Sequence, residues 1–308
     1  MFLGGVTAQE QSGNSLVKRS VKSKLTPWLY LSPALLLIVL VFIYPIIDLL
    51  RRSTTQVING VASWNGLIAY QNALRDPIFW TSFNNNLRLL ISVPIMVVLS
   101  LVFSSLIFER IRGWRFYRSM VFIPYVLAIP VVGIVFSYIL QANGVFNQLL
   151  RGIGLGGLAK EWLGSQSTAI WAIMFVVIWK ELGFGIVLFL ARMSSISEEL
   201  YDAAKLDGAG WWNQMIYVTI PQMTTVIEFY IIVNTITMLS WVFAYVLVMT
   251  KGGPGNSTWV LEYFIYQKAF PYSQMQIASA AAVLLLLFAS VLMFLQARLR
   301  RQVEGSAG

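Results

Sequence analysis

Apolar residues in this chain do not alternate with polar ones; they form unbroken runs separated by short polar connections. A helix needs about 20 consecutive apolar residues to cross a bilayer core. Such runs can be drawn six times, over residues 28–50, 86–108, 119–140, 168–191, 222–249 and 275–296. Pro45, Pro94, Pro124 and Pro130 fall inside them, which a membrane helix tolerates when its neighbours satisfy the freed carbonyls. The connections reach only about 25–35 residues, too short for an independent core. The pattern predicts an all-α, polytopic membrane protein with six transmembrane helices and no soluble domain.

One connection differs from the rest. Between the fourth and fifth runs, residues 197–221 read SEELYDAAKLDGAGWWNQMIYVTIP, a polar and helix-forming island. Ser197 suits an N-cap, and Glu198 and Glu199 then face the positive end of the helix dipole. Leu200, Ala203 and Ala204 share one face at i, i+3, i+4 spacing. Asp207-Gly208 predicts a stop after Leu206, because glycine accepts the left-handed conformation at a helix C-terminus. A second short helix is expected from Ala209 to about Val218, with Pro221 opening the next span. The sum is a helix–turn–helix at the membrane surface, with alanines exposed for close docking on another protein.

Composition agrees with a membrane chain: 57% of its residues are hydrophobic and 11% charged, with mean hydropathy +0.70. The net charge of +9 carries orientation. With the N-terminus inside, the inner side holds 13 of the 22 Lys and Arg residues, in clusters at Lys18–Lys24, Arg110–Arg118, Arg192–Lys205 and Arg298–Arg301. The positive-inside rule then places both termini in the cytoplasm, with a tail over 1–27, the membrane domain over 28–297 and a second tail over 298–308. RIRGWRFYR (110–118) interleaves cations with aromatics as interfacial anchors do, so the basic excess reports topology and not nucleic-acid binding. The first 24 residues are polar, and the first apolar run is long enough to stay as an anchor, unlike a cleavable signal peptide.

Absences narrow the chemistry. No His and no Cys occurs, which removes thiol nucleophiles, imidazole bases and the common zinc sites. No Gly-Lys dipeptide occurs, so a phosphate-binding P-loop cannot be built here. If transport is ATP-driven, a separate subunit hydrolyses MgATP, and this chain binds no cofactor of its own.

The island resembles the cytoplasmic coupling loop of ABC-importer permeases: Glu-Ala-Ala, three residues, Gly, nine residues, Ile-x-Leu-Pro. Here Asp202-Ala203-Ala204, Gly208, Val218, Ile220 and Pro221 keep every spacing. The resemblance implies that Glu199, Asp202, Ala203, Ala204 and Gly208 fit a groove on an ATPase subunit and follow its closure. A second stretch, Thr250–Phe270, reads either as a Gly-rich turn with an aromatic belt or as the last external loop of carbohydrate-importer permeases. Its landmarks for the latter are Thr250, Gly252, Gly253, Pro254, Ser257, Thr258, Tyr266, Ala269 and Phe270. Gly66-Leu67, Asp76-Pro77, Asn85, Ile123-Pro124-Tyr125, Gly144, Asn147, Trp162-Leu163 and Trp179 extend the likeness along most of the chain. It is similar to the maltose-permease or glycerol-phosphate-permease type, reduced to the six-helix core. One departure is Phe243-Ala244, where that type often has Asp after the Phe.

A pathway through the membrane should be lined by polar groups that are costly in hydrocarbon. Lys180-Glu181, midway along the fourth span, either lines it or forms a buried pair. The resemblance places Tyr125, Lys180, Glu181, Phe184, Thr235, Met238 and Leu239 at or beside sugar-contacting positions. Asn234, Thr237, Ser240, Trp241 and Tyr245 offer nearby polar or stacking groups, as suits a sugar's apolar faces and hydroxyls. Glu228 reads as a coupling or snorkelling charge. The expected assembly pairs this chain with a second related permease, an ABC ATPase dimer and an extracytoplasmic solute-binding protein. It would sit among lipids in a bacterial or archaeal cytoplasmic membrane and carry a di- or oligosaccharide, polyol or glycerol phosphate. The alternatives are an ion-coupled secondary transporter, and a membrane enzyme or scaffold.

Overall fold

The computed structural model describes residues 27–58, 61–109 and 113–306. Lys18, Arg19, Lys22, Lys24, Arg110 and Arg112, which the charge pattern assigns to the inner side, lie outside the described residues. Helix α1 (Pro27–Thr54) is the first apolar run. It carries a π turn at Val39–Ile43, where the wider spacing accommodates the missing N–H of Pro45. A short antiparallel hairpin follows, β1 (Thr55–Ile58) paired with β2 (Val61–Trp64), with Thr55 opposite Trp64. This hairpin, with four residues in each strand, is a small addition to an otherwise all-α architecture among the described residues. Its signal was readable: Asn59-Gly60 between β-branched residues favours a tight hairpin turn.

Helix α2 (Ile68–Arg75) leads to α3 (Pro77–Phe108), which starts well before the expected Asn86. The early start has a local cause, since the Asp76 carboxylate accepts the Ile78 N–H at 2.9 Å and Pro77 fills the first turn. The third run is not one rod. It divides into α4 (Trp114–Val126) and α5 (Ile129–Ile139), bent by 102°. Leu127 and Ala128 are extended at the break, and Pro130 sits in the first turn of α5, where it needs no donor. Then come α6 (Val145–Gly152), α7 (Ala169–Met193), α8 (Glu198–Leu206), α9 (Trp211–Met238), α10 (Val242–Met249), α11 (Leu261–Ala269) and α12 (Met275–Ser306). The fifth run thus breaks at Leu239–Trp241, and α12 continues through the segment read as a tail from residue 298. Among the described residues, five helices are long and apolar enough to cross a membrane, and six spans result when the bent pair is counted as one.

Helix α7 is the centre, packed against α3, α4, α9 and α10. In lipid, helices associate through close packing, and small residues permit it. A Cβ on Gly185 would strike Ser100 of α3 and Tyr230 of α9, and one on Gly183 would strike the Val121 carbonyl of α4. Ile173, Val176, Val177 and Phe189 are fully buried along α7. By contrast, the apolar stretch of α1 buries none of its residues within this chain.

Three asparagines fasten the end of the molecule opposite α8. Asn85 of α3 donates to the Ser257 and Trp259 carbonyls at 2.7 and 2.8 Å. Asn86 accepts the Leu261 N–H at 2.7 Å and donates to Glu262 at 3.2 Å. Asn147 of α6 donates to the Gln141, Ala142 and Lys160 carbonyls and accepts the Trp162 indole N–H.

Candidate functional site

The polar island forms its first half as expected. The Ser197 hydroxyl accepts the Glu199 N–H at 3.3 Å, and α8 ends at Gly208 with φ +79. There the Gly208 and Ala209 N–H groups donate back to the Lys205 and Ala204 carbonyls. Glu199, Asp202 and Ala203 are exposed, Ala204 is half-buried, and Leu200 and Leu206 also face outward. Lys205 pairs with Asp202 at 3.1 Å along the exposed side. The second half differs: no separate short helix stands between Ala209 and Val218. Trp211 begins a rod that runs to Met238, through a π segment at Met215–Thr219 in which the Ile220 N–H reaches the Met215 carbonyl. The wide turn absorbs Pro221, so the proline opens no new element and the island is continuous with the fifth span. Arg192, at the end of α7, donates twice to the Gln222 carbonyl, at 3.1 and 2.8 Å. Sequence reasoning counted this arginine only as a topology charge.

In the membrane interior the structure divides the pathway candidates. Tyr125, Lys180, Glu181 and Phe184 come together across α4 and α7. Lys180 and Glu181 are 5% and 9% exposed and pair at 3.2 Å. The ammonium also donates to the Tyr125 carbonyl at 3.1 Å and lies 5.2 Å from that residue's ring centroid. The Tyr125 and Phe184 rings stack at 5.4 Å, and Phe184 reaches Tyr230 of α9 at 5.9 Å. Asn234, Thr235, Met238 and Leu239 are instead buried within the chain. Asn234 donates to the Tyr230 carbonyl, Thr235 donates to Ile231 and accepts from Gln296, and Met238 sulfur accepts from Ser92. A polar group inside a helical bundle bonds its own turn or its neighbour in this way. Trp241 is 59% exposed at the break between α9 and α10.

Residues 250–263 form a braced turn. The Thr258 hydroxyl bonds the Thr250 hydroxyl and the Gly253 carbonyl, both at 2.8 Å, and Tyr263 donates to Lys251. Gly252 takes φ +81, where a Cβ would meet the Trp259 and Tyr263 rings; Gly253 and Pro254 complete the turn. Beyond it, burial pushes the Glu262 carboxyl up to about 7, against smaller lowering by its own backbone and by Asn86. Its Oε1 is buried without a partner. Among the described residues, no cluster of three or more Asp and Glu could hold a metal.

A central helix gripped by a bent pair, with a short exposed helix projecting between two spans, defines a polytopic helical permease. Residues 89–305 match the family described as binding-protein-dependent transport system inner membrane component, and the chain belongs to it as the permease subunit of an ABC importer. The probable ABC transporter permease protein YurN of Bacillus subtilis is 34% identical over 89% of this chain and 96% of its own. The lactose transport system permease protein LacF of Rhizobium radiobacter is 30% identical over 87% and 92%. A solved bacterial alginate ABC transporter, in complex with alginate pentasaccharide-bound periplasmic protein, shares the fold with TM-score 0.80 at 22% identity, covering 92% and 97% of the two chains.

Proposed function

We propose that this chain forms half of the translocation pathway of a carbohydrate importer, and that ATP-driven movement enters it through residues 197–221. One observation carries the coupling half: the spacing-matched residues Asp202 and Ala203 lie on a short exposed helix, and after the turn at Gly208 the chain enters a rod that runs from Trp211 through the fifth span. The family and the exposed face of α1 support a second, related permease as the partner within the membrane. Two ATPase copies would hydrolyse MgATP on the side of α8, which is the cytoplasm by the positive-inside argument. A solute-binding protein would deliver substrate at the opposite face, where residues 250–263 sit. The carbohydrate reading rests on the relatives that carry lactose or alginate in their names. It also rests on the stacked rings of Tyr125 and Phe184, beside the buried Lys180–Glu181 pair, and on the exposed Trp241. Closure of the ATPases would press on Glu199, Asp202, Ala203 and Ala204. The rod from Trp211 to Met238 would carry that movement into the membrane, and Pro221 would mark its entry. Coupling of this kind requires α8 to bind two ATPase states with different free energies. Nothing in the fold or the relatives favours ion coupling.

Two substitutions test the reading. Asp202→Lys reverses one exposed charge of α8 and breaks its pair with Lys205, and Gly208→Pro imposes φ near −65° where the chain needs +79. Both should abolish uptake and substrate-stimulated ATPase activity while the chain still inserts. Normal uptake by either variant would sink the coupling role.

A further inference from the structure

Helix α8 is separated from the body of the molecule over most of its length. A cavity of about 570 Å³ lies behind it, lined by Glu198, Tyr201, Asp202 and Lys205 of α8, Phe108 of α3 and Thr219 of α9. Glu198, Tyr201 and Lys205 fall on one helical face, with Asp202 at its exposed edge, opposite the Leu200, Ala203 and Ala204 face. A cavity has no atoms to push against, so force crosses it only where side chains meet.

Tyr201 crosses it. Its hydroxyl lies 3.2 Å from the Thr219 hydroxyl, and its ring lies 5.8 Å from the Phe108 ring. Thr219 is 4% exposed and closes the π segment of α9. Phe108 is the last residue of α3. One side chain on the projecting helix therefore touches the inner ends of two spans. At α9 the contact falls on the irregular turn just before Pro221, a place where helices often change geometry.

We propose that Tyr201 is a positioning residue that transmits displacement of α8 to α9, through Thr219, and to α3, through Phe108. It faces away from the docking surface, so its role is not to hold the ATPase. Without it, α8 can move into the cavity while α9 and α3 stay in place. This rests on the coupling role proposed for residues 197–221 and names the route by which that coupling enters the membrane.

The test uses the complete importer in proteoliposomes, with ATPase activity and solute uptake measured together. Tyr201→Phe keeps the ring contact and loses the hydroxyl. Stimulation of ATPase activity by liganded binding protein should fall about fivefold, the scale of one net hydrogen bond, with fewer solute molecules moved per ATP. Thr219→Val should match it, and the double variant should be no worse than either single one, as for two groups acting as a pair. Tyr201→Ala, which loses the ring as well, should cost more than Tyr201→Phe. ATPase co-purification should stay at the wild-type ratio in the Phe and Val variants. The proposal fails if Tyr201→Phe and Thr219→Val melt earlier yet keep the wild-type solute-to-ATP ratio, because a structural role alone would do that. Should Asp202→Lys abolish uptake while Tyr201→Ala transports normally, this route falls and the coupling reading stands. Should Asp202→Lys also transport normally, the coupling reading itself falls.

Discussion

Lys180→Met should destabilise the subunit severely, and adding Glu181→Gln should restore part of the loss. The side chains of Lys180 and Glu181 are 7% and 12% exposed and pair at 3.2 Å inside the fourth span. Removing one member of such a pair leaves an uncompensated buried charge, at a cost of about 3–5 kcal/mol. The ammonium has a second task. The Tyr125 carbonyl it binds lies in the last turn of α4, where the extended residues Leu127 and Ala128 interrupt the helix. A carbonyl there has lost its usual helical partner, so Lys180 caps the bend. Met keeps the length of the side chain and offers neither charge nor donor. In the double variant the charge problem is gone, and only the uncapped carbonyl remains, at about 1–3 kcal/mol. At roughly 2 °C per kcal/mol for a chain of this size, the single variant should melt about 6–10 °C early and the double variant about 2–6 °C early. Tryptophan fluorescence of the detergent-solubilised complex reads both midpoints. A double variant at or below the single one would refute the buried-pair account. A single variant that melts normally but loses uptake would instead make Lys180 a pathway residue.

Asn147→Ala removes the donor shared by three carbonyls and strands the Trp162 indole N–H. Proteolysis of residues 153–160 should accelerate about fivefold or more, and unchanged cleavage would contradict the role of Asn147 as the tie of that loop. Glu262 makes stability depend on pH. Its folded-state pKa is raised from 4.5 to about 7, so the folded chain holds the proton more tightly than the unfolded chain does. Stability should be highest below 4.5 and decline as pH rises to about 7, and Glu262→Gln should flatten that decline. A wild-type midpoint that climbs across this window would overturn the assignment.

The spans and helix α8 were legible because hydropathy and capping are local properties. Ser197, Gly208 and the alanine face appear as the spacing required. The bend at Leu127–Ala128 was not legible, since Pro124 and Pro130 are equally compatible with a single kinked span. What stabilises the bend is Lys180, distant in sequence, and no periodicity reports it. The hairpin was missed although Asn59-Gly60 announced it. Pro221 in the sequence marks the start of a span, whereas the π segment before it joins residues 211–220 and the span in one rod. Among the pathway candidates, Asn234, Thr235 and Met238 are polar or polarisable and sit in an apolar run, which describes a buried helix–helix contact as well as it describes a pore. Tyr201 was overlooked beside the motif residues. Its signal was the placement of the one large aromatic of α8 on the face opposite the alanines.

The central claim is that this chain is the permease half of an ATP-driven carbohydrate importer, coupled through α8. The most direct measurement is purification of the chain from its native host in mild detergent, with bound subunits identified by mass spectrometry. The account predicts a companion permease and two ATPase copies, with the companion kept in the Asp202→Lys variant and the ATPase copies lost or no longer stimulated. A stable homo-oligomer with no ATPase would contradict it.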